Sequence, residues 1–240
     1  MPRLRLAIKK EGALQFLSHL DYARAVRYVI VRANLPVCYS EGFNPHMKIN
    51  FASALGVGVS AAVEYMDMEL AGELPVREVM DRMNAKSPQG FAVLDGAYVP
   101  DKAPKLMAMG NYATFELRGP VVRDASEAEI EEAAQRFNDQ AEVLYTKVSP
   151  KNGRKHVIDV KQHVPDNLTV RMEHGQLYVG VGSLQTQEGG IKPQQLWEIL
   201  EEQFGLPVAA DMMLAHRTGI YHREGCDCST LFDLKDGVKQ

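Results

Sequence analysis

Arg3 to Lys9 alternate basic and apolar residues, with Leu4, Leu6 and Ile8 on one face, which predicts a half-buried strand whose other face is basic and wet. After the turn at Glu11-Gly12, Ser18 and Asp21 form an S-x-x-D helix start. Leu20, Ala23, Val26, Ile30 and Ala33 then recur at helical spacing up to Asn34-Leu35-Pro36. Further on, the pattern predicts strands around Lys48 to Ser53 and Ala62 to Leu70, a helix from Pro75 to about Ala85, and a strand at Phe91 to Val99. The order β-α-β-β-α-β is that of a ferredoxin-like fold, an antiparallel sheet with both helices on one face and the other face free to bind.

Pro100 to Lys105 carries two prolines and no periodicity, which predicts a linker over 101–109 after a first domain at 1–100. A second α+β domain is expected over 110–220. It has a strand at Tyr112 to Arg118, a helix from Ser126 to Asn138 with an acid-rich first turn, and strands near Glu142 to Val148 and Lys155 to Lys161. Strands at Leu168 to Glu173 and Gln176 to Val181 flank His174-Gly175 as a hairpin turn. Pro193 opens a helix over Gln194 to Phe204 closed by Gly205, and a last strand is expected at Val208 to His216. The fold class is therefore α+β, two ferredoxin-like halves with antiparallel sheets, the second with an inserted hairpin, and residues 221–240 form a tail. The likeness of the halves rests on element order alone.

Between the first helix and the next strand lies Tyr39-Ser40-Glu41-Gly42-Phe43-Asn44-Pro45-His46-Met47-Lys48. Gly42 tolerates positive φ, Asn44 is pushed towards extended backbone by Pro45, and Pro45 fixes its own φ, so the turn is stiff. Stiffness lowers the entropy cost of presenting Phe43, His46 and Lys48 to a planar or anionic ligand. The alternative is an ordered connection whose Phe43 tucks into the core.

Composition is that of a soluble globule, with 45% hydrophobic and 24% charged residues and a net charge of −4. The charge is uneven. Residues 1–50 hold eight Lys or Arg against three acids, a net of +5, which leaves −9 for residues 51–240. A polyanion would meet the first fifth of the chain. No apolar run approaches the roughly 20 residues of a membrane span, and Pro2-Arg3-Leu4-Arg5 is no signal-peptide core. With Cys38, Cys226 and Cys228 as the only thiols, the expectation is a cytoplasmic protein without a disulfide framework or a membrane partner.

Arg24 and Arg27 lie about 60° apart on the first helix, away from its apolar stripe, and share a face with Arg32. With Arg3 and Arg5 of the first strand they are candidates to track a phosphate backbone; a solvated helix face is the plainer explanation. His19 and His46 are candidates for a general base and acid, as in metal-independent ribonucleases, with Lys48 stabilising charge on phosphorus. His216, His222, Cys226 and Cys228 form H-x5-H-x3-C-x-C, whose C-x-C spacing is tighter than the usual zinc knuckle and has no second pair to repeat it. A phosphate-binding P-loop, an H-E-x-x-H helix, a G-x-S-x-G elbow and a C-x3-C-x2-C cluster are all absent from the sequence, which argues against nucleotide hydrolysis and redox chemistry. No cofactor is called for.

Taken together, Phe16-Leu17-Ser18-His19-Leu20-Asp21, Arg24, Leu35-Pro36, Tyr39-Ser40 and Gly42-Phe43-Asn44-Pro45-His46 with Lys48 resemble the radical-SAM-linked protein family. That is an uncharacterised domain found beside or fused to B12-binding radical SAM proteins. The match is close over residues 3–70; Arg217-Thr218-Gly219 and the Pro193 helix also look like family features, and Met47 stands where the family usually has proline. The resemblance implies a radical SAM protein as partner, with no cluster in this chain. The tandem ferredoxin-like look is also similar to CRISPR repeat-processing endoribonucleases, an analogy of fold only.

The expected function is thus a non-catalytic RNA-binding or substrate-presenting accessory protein of a radical SAM enzyme, in tRNA or rRNA modification. Arg3, Arg5, Arg24 and Arg27 would contact phosphates and Phe43 would stack on an unpaired base, with Tyr39, Asn44, His46 and Lys48 around it. Alternatives are a phosphodiester-cleaving enzyme using His19 and His46, and a protein-only adaptor for the radical SAM partner.

Overall fold

The computed structural model describes residues 1–148, 153, 155–185 and 190–233. Its elements are, in chain order, β1 (Arg3–Lys10), α1 (His19–Arg32), β2 (Ile49–Phe51), β3 (Val59–Glu69), α2 (Val76–Asn84), β4 (Phe91–Val99), α3 (Leu106–Met109) and β5 (Tyr112–Pro120). They continue with α4 (Glu127–Asn138), β6 (Leu144–Val148), β7 (Lys155–Asp159), β8 (Thr169–Glu173), β9 (Gln176–Leu184), α5 (Pro193–Glu202), β10 (Leu214–Glu224) and β11 (Asp227–Ser229). The protein is mixed α+β, with mostly antiparallel strand pairing. The chain divides into two units: Met1–Asn111 with everything from Arg217 onward, and Tyr112–His216. The division falls inside β10.

In the first unit β4 and β3 flank β1, both antiparallel to it, and β2 pairs with the end of β3 through Ile49↔Met68 and Phe51↔Met66. The period-2 face Leu4, Leu6, Ile8 is buried against Val26, Val29 and Ile30 of α1 and Val79 and Met83 of α2, in one core that also takes in Met66, Met68 and Leu70. Ser18 caps α1 by accepting from the Asp21 amide at 3.2 Å, and Asn34, at φ 51°, ends it. Leu20 does not join the apolar stripe. It lies on the side of the helix opposite Tyr22 and Val29, which fill the core in its place, and is 75% exposed.

The other face of this sheet is not free, and β1 is not wet there. Leu106 and Met109 of α3, with Ile220 and Leu231, form a second core over Ala7, Ala52 and Tyr65. Arg5 is consequently 0% exposed. Residues 101–109, expected as a linker, thus supply a packed helix. The expected tail likewise begins as sheet: β10 runs to Glu224, β11 pairs back on it through Arg223↔Cys228, and Leu231 is buried. Residues 234–240 of that tail lie outside the described residues.

In the second unit β5 pairs antiparallel with β9 from Tyr112↔Leu184 to Pro120↔Gln176, and β8 pairs with β9, giving the order β10-β5-β9-β8. The β8–β9 turn is His174-Gly175, both at positive φ (49° and 72°), as a two-residue hairpin turn requires. Ser126 caps α4, Pro193 opens α5, and β6 pairs only with β7 among the described residues. The last strand starts later than expected, at Leu214, because Ala210–Met212 form a 3-10 turn instead of extended chain. Gly119 is required where it stands: a Cβ there would lie 2.8 Å from the buried Trp197 ring.

Candidate nucleic-acid interface

The Tyr39–Met47 loop is tied at its neck. Tyr39 and Met47 form an isolated antiparallel bridge, the Ser40 amide donates to the His46 carbonyl at 2.8 Å, and the His46 amide donates to Ser40 Oγ at 2.9 Å. Below the neck the Lys48 amide donates to the Cys38 carbonyl, the Cys38 amide to the Glu69 carbonyl, and the Met47 side chain packs against the main core of the unit. Gly42 takes φ 118°, a conformation that favours glycine. Phe43 does not tuck into the core. Its relative exposure is 107%, so an entire aromatic surface is held outward by a loop whose backbone is fixed at both ends. Tyr39, Asn44 and His46 are exposed beside it.

The cations divide into two sets. Arg5 donates from Nε and Nη2 to both carboxylate oxygens of Asp67 (2.7 and 3.0 Å), its cross-strand neighbour, and from Nη1 to the Leu231 carbonyl. Arg3 donates to the carbonyls of Pro100 and Ala103 at 3.2 and 2.8 Å and stands 3.8 Å from Asp67. Their expected phosphate contacts give way to structural bonds, because α3 and the C-terminal chain cover that face. Lys48 pairs with Glu69 at 3.0 Å, and this hydrogen bond holds its ammonium above the usual lysine range. Arg24 and Arg27, in contrast, are exposed on the outer face of α1. Arg24 is held 3.1 Å from Asp21, and Arg27 makes no hydrogen bond or ion pair among the described residues. Arg32 is exposed on the same helix and donates to the Lys86 carbonyl.

His19 and His46 are not joined by any hydrogen bond or ring contact among the described residues. His19 packs edge-on to Phe51, ring centroids 5.4 Å apart. Burial, with the nearby Lys10 ammonium adding to it, holds its imidazole below the usual histidine range. A depressed histidine binds its proton less readily folded than unfolded, so it contributes stability above its unfolded pKa that is lost as pH falls through the folded value. Below about pH 6.5, His19→Gln is therefore expected to flatten the acid-side fall in melting temperature relative to the parent protein. An unchanged slope in thermal melts across that window would refute the assignment.

Beneath this end of α1 lies a buried charge network that sequence reasoning missed. Lys10, the last residue on the Leu4-Leu6-Ile8 face, points its ammonium at the Leu17 carbonyl at 3.2 Å and over the Tyr22 ring at 5.3 Å. Arg217 donates to buried Glu64 at 2.7 Å and to Ser53 Oγ. Burial pushes the Lys10 ammonium down, Glu64 pulling against it; burial pushes the Glu64 carboxyl up, Arg217 and Lys10 pulling against it. The only sequence signal was a lone acid among Met66, Met68 and Leu70. Also missed were Tyr28 and Val31, 60% and 56% exposed on α1; their position opposite the apolar stripe was readable from helical spacing.

The proposed metal ligands are not assembled. His222 has Nδ1 3.0 Å from the Met109 carbonyl and Nε2 3.3 Å from Glu224, and Cys226 and Cys228 are exposed in the β10–β11 hairpin. His216 belongs to the second unit. Among the described residues no three His, Cys, Asp or Glu come together to hold a metal. Nor is any helix there long and apolar enough to cross a membrane.

With the fold and the exposed loop established, residues 3–193 match the family described as an uncharacterized protein conserved in bacteria (DUF2344), and the chain belongs to that family. No curated protein matches it. Among solved structures, a chain from the crystal structure of a Cbf5-Nop10-Gar1 complex is similar at a TM-score of 0.53 and 14% identity, over 91% of this chain and 48% of its own. A chain of the archaeal box H/ACA sRNP Nop10-Cbf5 complex is similar at 0.48 and 14%, over 97% and 52%. The protein spans about half the length of these chains, and the likeness to the first is one of fold.

Proposed function

We propose that the protein is a non-catalytic, cytoplasmic accessory protein that binds RNA, or presents it, to a radical SAM enzyme in tRNA or rRNA modification. The observation that carries the RNA assignment is Phe43: a fully exposed aromatic on a loop pinned by Ser40 and the Tyr39–Met47 bridge. Leaving an apolar ring in water is unfavourable, and pinning it there reduces the entropy lost when a base stacks on it. Arg24 and Arg27 supply exposed positive charge in the same unit. The radical SAM partner rests on the sequence resemblance alone. The sheet orders β4-β1-β3-β2 and β10-β5-β9-β8, each with two helical crossovers, support reading both units as ferredoxin-like with β6–β7 inserted in the second.

The test is ultraviolet crosslinking of the native protein to co-purifying RNA, sequenced beside a Phe43→Ala, His46→Ala variant. A defined tRNA or rRNA site, lost in the variant, is the expected result; no RNA above background would exclude the assignment. Against that RNA, Phe43→Ala alone is expected to weaken binding by roughly 1–3 kcal/mol. The variant's melting temperature should not change, because the ring makes no contact to lose.

A further inference from the structure

The outer face of α1 has an unusual make-up. Placed on a helical wheel, Leu20, Arg24, Arg27, Tyr28 and Val31 fall within an arc of about 100°, and the core residues Tyr22, Val26, Val29 and Ile30 occupy the opposite side. An outer face usually carries short polar or mixed charged residues. This one exposes two apolar side chains, an aromatic ring and two guanidinium groups, with Leu20 75%, Tyr28 60% and Val31 56% exposed. The positions are vertical neighbours on the helix: Leu20 above Arg24, Arg24 above Tyr28, Arg27 above Val31.

The charge on this face is poorly neutralised. Asp21 meets Arg24, but Arg27 has no partner among the described residues, and Arg32 spends its hydrogen bond on a neutral carbonyl. With Asp21 and Arg32 at its edge, three arginines against one acid, interleaved with a tyrosine, form a pattern complementary to a polyanion whose bases are available for stacking. A double helix offers phosphates but hides its base faces, so it would leave Tyr28, Leu20 and Val31 uncovered. A free nucleotide would be too small for a face that extends about 16 Å from Leu20 to Val31.

We infer that the outer face of α1 is a second base-stacking platform, with Tyr28 receiving an unpaired base and Arg24 and Arg27 its flanking phosphates, so that the ligand is a single-stranded RNA segment. This rests on the RNA assignment made for the Phe43 loop and extends it from one unpaired base to a strand.

The experiment is fluorescence anisotropy on the full chain with a labelled oligouridylate, an oligoadenylate of equal length, and the duplex made by annealing the two. Both single strands should bind, with the duplex at least about tenfold weaker. Tyr28→Ala should weaken single-strand binding between about fivefold and a hundredfold, and Tyr28→Phe should restore it, because stacking needs the ring and not the hydroxyl. Arg27→Gln should lower the salt slope by about one phosphate contact. Both positions are exposed, so matched melting curves will show that the fold is intact. Tyr28→Ala binding like the parent, while Phe43→Ala weakens it, would overturn this inference and leave the loop assignment standing; equal affinity for the duplex would overturn it too. Failure of the parent protein to bind either strand would sink the RNA assignment itself.

Discussion

Asp67→Ala is expected to lower the unfolding free energy by roughly 3–5 kcal/mol, measured as a shift in urea midpoint at constant slope. Arg5 and Asp67 face each other across β1 and β3, 0% and 3% exposed, in a two-pronged contact. Taking both ions out of water is costly, and the pair offsets that cost only while both members are present. Removing Asp67 leaves the Nε and Nη2 donors of Arg5 without acceptors, and a guanidinium does not relieve the strain by losing its proton. The double replacement Arg5→Met, Asp67→Leu should recover most of the loss, since apolar side chains fit the core formed by Met109, Leu106 and Leu231. A loss under about 1 kcal/mol for the single variant would mean that the pair is in effect hydrated, in conflict with its burial.

Glu64→Ala should be of similar size, but its cost should divide unequally between the two cations it serves. Arg217 keeps its charge whatever surrounds it, so losing Glu64 takes away the buried carboxylate 2.7 Å from its guanidinium, at about 3–5 kcal/mol. Lys10 behaves differently. Burial already pushes its ammonium down, Glu64 is what opposes that, and without Glu64 the proton is held more weakly still. Lys10→Met is therefore expected to cost little, about 1 kcal/mol or less, and to cost still less in the Glu64→Ala background. Urea titrations of the four proteins in the cycle check this. If Lys10→Met proved the more damaging change, the Leu17 carbonyl contact, and not the charge, would be what matters there.

The local grammar of the chain is legible in its residues alone. Ser18 with Asp21, Ser126 before its acidic turn, Pro193, and His174-Gly175 each act through neighbouring backbone, and each stands where its chemistry places it. The exposed loop is legible for the same reason. What is not legible is what covers a face. Alternation in Arg3-Leu4-Arg5-Leu6 shows that the arginines share a side of the sheet, but the groups that bury Arg5 come from Met109 and Leu231, more than a hundred residues away. Leu20 misleads because an apolar residue near a stripe reads as part of it unless its angle is considered. Lys10, Glu64 and Arg217 escape for a related reason: a charge in an amphipathic strand reads as solvent-facing until its distant partner is known.

The position of Arg217 also bears on the order in which the molecule can be made. The second unit is one uninterrupted stretch, Tyr112–His216, which holds β5, β8 and β9 whole and the first three residues of β10. The first unit is split: β10 from Arg217 onward returns to β3, and Leu231 caps Arg5. A ribosome synthesising this chain therefore releases the opening residues long before their last strand exists, with Arg5 and Glu64 still wet. Domains generally fold in the order they are made; here the earlier one cannot close until β10 and Leu231 have been added.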